Sequence, residues 1–191
     1  FSTRPFKLWS GDKKYESNTV ILATGASAKL LGLENEQKLM GHGVSACATC
    51  DGYFYKDKKV IVVGGGDSAA EEATFLTKFA SEVVLVHRRD ELRASKIMQD
   101  RVFQNPKISL LWNSSIADFM GDVESGGLKS VKVKNTLDGS ISDLKCDGAF
   151  IAIGHKPNSS IFVDQIELDK SGYVITKSDS TLTSIPGIFA A

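Results

Sequence analysis

Apolar residues in this chain gather in short blocks rather than in long helical stripes. Lys59-Val-Ile-Val-Val63 and Glu82-Val-Val-Leu-Val86 are β-branched runs bounded by turn residues, the pattern of strands buried on both faces. Between them Gly64-Gly-Gly66 breaks the chain, and Asp67 to Phe79 carry helix formers without Pro or Gly. Strand, glycine turn, helix and second strand predict a βαβ unit, hence a parallel sheet with a right-handed crossover. Leu92 to Phe103 reads as another helix, stopped before Pro106. Ile108 to Trp112, Leu128 to Val133 and Cys146 to Ile153 read as strands, with Leu137-Asp-Gly-Ser140 as a hairpin turn. One further strand is expected at Tyr173 to Thr176.

The first residues read differently. Pro5 to Trp9 alternates with basic residues, Gly11-Asp12 is a turn signal, and Thr19 to Thr24 is a short apolar run, so two strands joined by a polar turn are expected. From Ala26 to Gly43 the apolar spacing is irregular and glycines recur at positions 32, 41 and 43, which suits a connection between domains.

Composition narrows the class. The 191 residues, 42% hydrophobic and 24% charged, can bury a sizeable core and are neither disordered nor membrane-spanning in pattern. Twenty-three basic residues balance twenty-three acidic ones, so no global field draws the chain to nucleic acid, and any phosphate must be gripped locally. Three cysteines are too few for a secreted disulfide framework and fit a reducing compartment, with the cytoplasm as the default. Phe1-Ser-Thr-Arg-Pro5 shows no signal peptide and no initiator Met, so the expectation is a chain that begins mid-protein.

Gly64-x-Gly66-x-x-Ala69 follows a predicted strand and opens a predicted helix, the context a dinucleotide fingerprint requires. The first glycine permits the turn, the second lets backbone approach a pyrophosphate, and Ala69 lets helix and strand pack closely. Unpaired N–H groups at the helix start face the phosphates, and Ser68 can add a hydroxyl. The bland alternative is a well-packed strand-to-helix turn. NAD sites place an acidic residue about twenty positions on, whereas here the second strand ends in His87-Arg88-Arg89-Asp90, followed by Arg93. Guanidinium forks suit a 2′-phosphate, which favours NADPH over NADH. A solvated basic turn with Asp90 as counter-charge is the competing reading.

Cys47-Ala-Thr-Cys50 has the spacing of a small redox disulfide, and Asp51 beside it can deliver or accept the proton as a thiolate leaves or forms. Half of a zinc site is the rival reading, although no second CxxC is present. Cys146, in an apolar run, is expected to be a small buried hydrophobe. A dithiol does not readily accept hydride from nicotinamide, so an intermediary such as flavin is expected between them.

Ala46-Cys-Ala-Thr-Cys-Asp-Gly52, Gly64-Gly-Gly-Asp67-Ser-Ala69 and His87-Arg-Arg-Asp-x-x-Arg93, in this order and spacing, resemble the low-molecular-weight thioredoxin reductases. Ala23-Thr24-Gly25 resembles that family's first return from its FAD domain, and Ala152-Ile153-Gly154-His155-x-Pro157-Asn158 the second crossing. The resemblance implies an α/β fold: a Rossmann-like NADPH-binding domain with a small antiparallel sheet at residues 29–154, flanked by partial FAD-domain segments at 1–28 and 155–191. It implies electron flow from NADPH through FAD to the Cys47–Cys50 disulfide and on to thioredoxin. Cys50 would lie nearer the flavin, Cys47 would attack thioredoxin and Asp51 would supply the proton. Ser68, His87, Arg88, Arg89, Arg93 and Ile153 would line the NADPH site, and Tyr173 would approach the cofactors. A homodimer and a rotation of the NADPH domain are also implied.

The family's FAD domain begins with its own glycine fingerprint and ends with a Gly-Asp motif after Pro-Gly-x-Phe-Ala-Ala. This chain starts at Phe1 and stops at Pro186-Gly-Ile-Phe-Ala-Ala191, so a truncated chain is expected. Two other functions remain: the flavoprotein subunit of an alkyl hydroperoxide reductase, which shares this core, and an NADPH-binding module without turnover.

Overall fold

The computed structural model describes all residues, Phe1–Ala191. In chain order the elements are β1 (Phe6–Ser10), β2 (Lys13–Ser17), β3 (Val20–Leu22), β4 (Ala26–Ala28), α1 (Glu34–Lys38), β5 (Val44–Ser45) and α2 (Ala48–Asp51). A 3-10 turn (Gly52–Tyr55) leads to β6 (Lys59–Val63), α3 (Asp67–Leu76), β7 (Glu82–Val86), α4 (Lys96–Phe103) and β8 (Ile108–Leu111). Then come β9 (Ser114–Asp122), β10 (Gly127–Asn135), β11 (Ile141–Lys145), β12 (Gly148–Ile151), β13 (His155–Pro157) and β14 (Ile188–Ala190). No helix is long and apolar enough to cross a membrane.

The chain divides into two compact units, Phe1–Ser27 with His155–Ala191, and Ala28–Gly154. In the first, β1 and β2 form an antiparallel hairpin and β14 pairs with β3 in parallel. Phe6, Leu22, Phe162, Ile166 and Ile188 make its small core.

The second unit is built on a five-stranded parallel sheet in the order β5-β12-β6-β7-β8. Alternation along each strand sends side chains to two cores. Val60, Val62, Val83, Leu85 and Phe150 pack beneath α3 and α4, whereas Ile61, Val63, Val84, Val86 and Ile151 face the antiparallel sheet β11-β10-β9. Three layers result, and the central strands are apolar throughout because both faces are covered. Each fully buried Val or Ile contributes about 1.5–3 kcal/mol.

The structure departs from the sequence pattern in four places. Gly11-Asp12 turns β1 into β2, which is Lys-Lys-Tyr-Glu-Ser and nearly all exposed, so no apolar signal marks it. Strands β9 and β11 also escape notice, because β11 is a largely exposed edge and a register shift breaks the alternation of β9 against β10. Helix α4 starts at Lys96 rather than Leu92, since Arg93 N donates to Gly65 O (2.7 Å) and Ser95 N to Asp67 Oδ1 (2.8 Å), holding this stretch on the glycine turn. At Tyr173 to Thr176 there is only an isolated bridge, Leu168 with Val174.

Residues 31–38 form a self-contained knot. Glu36 is fully buried, and its carboxylate accepts from Leu31 N and Gly32 N at 2.8 Å and from Leu33 N at 3.3 Å. Removing it orphans these donors beside the β9 sheet, and each buried unsatisfied group costs about 1–3 kcal/mol. Glu36→Ala is therefore expected to destabilise the chain by about 2–4 kcal/mol in urea unfolding; a loss under about 1 kcal/mol would contradict this anchoring role.

Candidate functional site

Strand β6 is followed in sequence by α3 and β7 on one side, while β12 and β5 lie on its other side. Chain direction around the sheet therefore reverses between β6 and β12, and in open parallel sheets ligands bind outside the strand ends at such a reversal. A cavity of about 430 Å³ opens there.

Its floor depends on close packing. A Cβ on Gly64 would stand 2.7 Å from the Ala69 Cβ and on top of the Ala152 carbonyl, so any side chain would prise α3 from β12. At Gly65 a Cβ would run into the His87 ring, 2.6 Å from Nε2. Gly66, by contrast, faces open space, and the first turn of α3 has no side-chain cap. Bare N–H groups and a positive helix end are thus left facing the cavity.

Of the residues singled out in the sequence, Gly64, Gly66, Ser68, His87, Arg88, Arg93, Ile153 and Gly154 line this cavity. Ala69 is fully buried beneath it. Asp67 is spent on Ser95, whose backbone N–H and side chain hold its carboxyl below the usual carboxylate range. That contact fixes the loop carrying Arg93. Arg89 lies beside Arg88 but outside the lining, and its carbonyl accepts from Asn113 N at 3.1 Å. Ala23, Thr24, Gly25 and Tyr173 belong to the other unit.

Arg88, Arg89 and Arg93 are exposed, and no carboxylate lies within 4 Å of any of them, so Asp90 does not neutralise the turn. His87 is 5% exposed, and its Nε2 is buried without a hydrogen-bond partner. Burial depresses its basicity, and the charges of Arg93 and Arg89 add to this against opposing contacts with the Gly64 and Glu91 backbone. A neutral ring with one free nitrogen therefore borders the cavity. Leu31, Ser114, Ser115 and Ile116 also line it. Sequence reading missed them; only the rule that ligands sit at the C-terminal strand ends, here just after β8, points to Ser114 and Ser115.

In the same unit, Cys47 and Cys50 form a disulfide, S–S 2.06 Å, at the start of α2. Cys47 caps this short helix: its Sγ accepts from Cys50 N at 3.2 Å, while Ser45 Oγ accepts from Cys47 N at 3.0 Å. Bonded to each other, the sulfurs are not thiolate ligands, and no group of three or more His, Cys, Asp or Glu is placed to hold a metal. Asp51 ends α2 and faces the half-buried Tyr55, whose phenol is pushed up by burial and then by Asp51, Cys146 and Asp147. Cys146 is buried and its thiol is pushed up to about 12, chiefly by burial, so it is inert at neutral pH.

Residues 3–191 match the family described as pyridine nucleotide-disulphide oxidoreductase. The chain is 50% identical over 191 residues to the thioredoxin reductase of Rickettsia conorii, covering all of this chain and 62% of that protein. Among solved structures, thioredoxin reductase from Streptococcus pyogenes matches at 44% identity and a TM-score of 0.81, over 96% of this chain and 59% of the other. That of Lactococcus lactis matches at 39% identity and a TM-score of 0.84, over 97% and 60%. The chain thus spans about three fifths of the length of these relatives. Disulfide, glycine turn and parallel sheet all lie within the matched residues, and the chain belongs to the pyridine nucleotide-disulphide oxidoreductase family.

Proposed function

We propose that this chain is the nucleotide- and disulfide-bearing part of an NADPH-dependent thioredoxin reductase. The observation that carries this reading is the pairing, within one unit, of the cavity at Gly64–Gly66 with the Cys47–Cys50 disulfide. Residues 28–154 would serve NADPH and the disulfide. Residues 1–27 and 155–191 would belong to a flavin-binding domain in one subunit of a homodimer, working in the reducing cytoplasm.

The cavity fits a pyridine nucleotide. Its open face at Gly66 and the uncapped start of α3 offer donors and space for a pyrophosphate and ribose, and the unpaired Arg88 and Arg93 on its wall, with Arg89 beside them, suit a 2′-phosphate. For FAD, Gly25 has φ +65° with open space beside it, and Asn158 pins that turn by donating to Thr24 O at 3.1 Å and Gly25 O at 2.9 Å. Ala23, Thr24, Gly25 and Tyr173 would be this chain's share of the flavin site. A nicotinamide held in the cavity would supply hydride, and a flavin would supply the relay of the electron pair toward the disulfide.

The protein's own part is proton and thiol chemistry. Breaking the Cys47–Cys50 bond with two electrons yields two sulfur anions or thiols, and Asp51 would supply a proton as Cys50 leaves. Cys47, at the N-terminus of α2 with its sulfur accepting a backbone N–H, would attack the disulfide of thioredoxin. Half-buried Tyr55 and buried Phe150 support the turn from below, their ring centroids 5.2 Å apart.

Two measurements test this reading. Isothermal titration should show NADPH binding at least tenfold tighter than NADH, with the preference reduced at least tenfold in Arg88→Ala; equal affinities would remove the NADPH assignment. Separately, the Cys50→Ser chain mixed with oxidised thioredoxin should accumulate a covalent complex through Cys47, released by dithiothreitol, while Cys47→Ser should not. Equal trapping by both variants would contradict the roles given to the two sulfurs.

A further inference from the structure

Helix α3 does more than open the glycine turn. Glu72, Phe75, Leu76 and Phe79 fall at i, i+3, i+4 and i+7, one stripe of the helix and its following turn. Three of the four close on the redox segment: a Cβ on Gly52 would meet Leu76 Cδ2 at 3.1 Å and Phe75 and Phe79 at 3.5 Å. Helices α2 and α3 pack against each other. Gly52 follows directly on α2, and α2 begins just beyond the C-terminal end of β5, the sheet end at which α3 also starts. Moving from Gly52 back through α2 toward Cys47 therefore climbs α3 by about one turn from Leu76, which reaches Glu72 in the middle of the helix. It is the one ionisable member of an otherwise apolar stripe, and its Oε2 is buried with no hydrogen-bond partner.

A carboxyl in that place is costly unless it keeps its proton. Burial, and then the neighbouring Glu71, push Glu72 up to about 7. No cation pairs with it: Lys78 lies over the Phe75 ring, 4.8 Å from its centroid, and Lys107 Nζ donates to Thr77 O and Ala80 O at 2.9 and 3.0 Å. On the α4 side Lys96 is paired with Asp100 at 2.9 Å, and Arg101 turns to Met98 Sδ at 3.7 Å. Lys59 of β6 and Glu82 of β7 pair with each other at 2.8 Å, at the opposite end of those strands from the start of α3. On α2 the ionisable groups are Asp51 and, once reduced, Cys47 and Cys50.

Resting on the disulfide reading above, we propose that Glu72 is a positioning residue for the redox pair, staying in the acid form while Cys47 or Cys50 carries thiolate charge and disfavouring that thiolate once ionised. Reduction breaks the S–S bond with two electrons, taken from a dithiol in solution or from NADPH through flavin in the enzyme. One sulfur takes a proton and the other remains thiolate until a second proton arrives. Glu72 neither gives nor takes these protons; its charge acts on the helix that bears them. A carboxylate and a thiolate in one partly buried site repel, so each raises the other's pKa.

The test is the pH profile of the first alkylation by iodoacetamide, on this chain reduced with a dithiol that is then removed. Wild type and Glu72→Gln should react at the same rate below about pH 6, where Glu72 is protonated and resembles Gln. Above pH 7 the curves should part, with Glu72→Gln at least about threefold faster at pH 8 and its midpoint lower by about half a pH unit or more. Coincident low-pH rates show that the variant is folded; Glu72→Leu, equally neutral, should give the same divergence. A second readout is thermal unfolding. The folded chain holds the Glu72 proton to higher pH than the unfolded chain, so stability is lost as pH rises from about 4.5 to 7. Glu72→Gln should therefore melt higher than wild type at pH 8 and equally at pH 4. Curves that coincide at all pH, or differ by a constant factor throughout, would overturn the proposal. Neither result depends on nucleotide binding, so failure here and failure of the NADPH reading are distinguishable.

Discussion

Everything in the second unit hangs on the contact where β6, β12 and α3 meet. Gly64 has no side chain because Ala69 and the Ala152 carbonyl occupy the space a Cβ would need. That approach sets the start of α3 against the sheet, brings the Gly66 backbone to the open crevice, and lets His87 slide beneath Gly65. Three adjacent glycines thus serve different ends: one for helix–strand packing, one for the histidine ring, and one for an unobstructed face.

Helix α3 joins the two chemical features. Its first turn borders the cavity, its buried alanines 69, 70 and 73 seat it on Val60, Val62 and Leu85, and its Phe75–Phe79 stripe packs on the redox segment. Tight packing gives such a helix little freedom to shift at one end alone. The cavity at the glycine turn and the disulfide therefore share one rigid element. The loop from Arg93 to Ser95 is tied to the same element through Gly65 and Asp67, which keeps the arginine at the rim despite its exposure.

Much of this was legible in the sequence where local pattern and tertiary role coincide. The runs at Lys59–Val63 and Glu82–Val86 are apolar because both faces of the sheet are covered, and the glycine turn between them marks the close packing met at Gly64 and Gly65. What stayed hidden lacks a local signature. Strand β2 exposes nearly every side chain, and β11 is an edge strand held by its pairing with β10. Leu92–Ser95 has a helical composition but is held out of α4 by two long-range hydrogen bonds. Asp67 belongs to the glycine fingerprint in sequence, and its carboxyl also fastens a loop, a link no local pattern announces. Ser114 and Ser115 reach the cavity only because β8 ends beside β7, a fact of sheet order that spacing along the chain does not carry.

The claim at the centre is that the β6–α3 turn seats a pyridine nucleotide. Amide chemical-shift mapping of the isotopically labelled chain with NADPH tests it most directly. The account predicts that the largest perturbations fall on Gly64–Ser68, His87–Arg93 and Ser114–Ile116, the segments that converge on the cavity. Perturbations concentrated elsewhere, or none at saturating nucleotide, would contradict it.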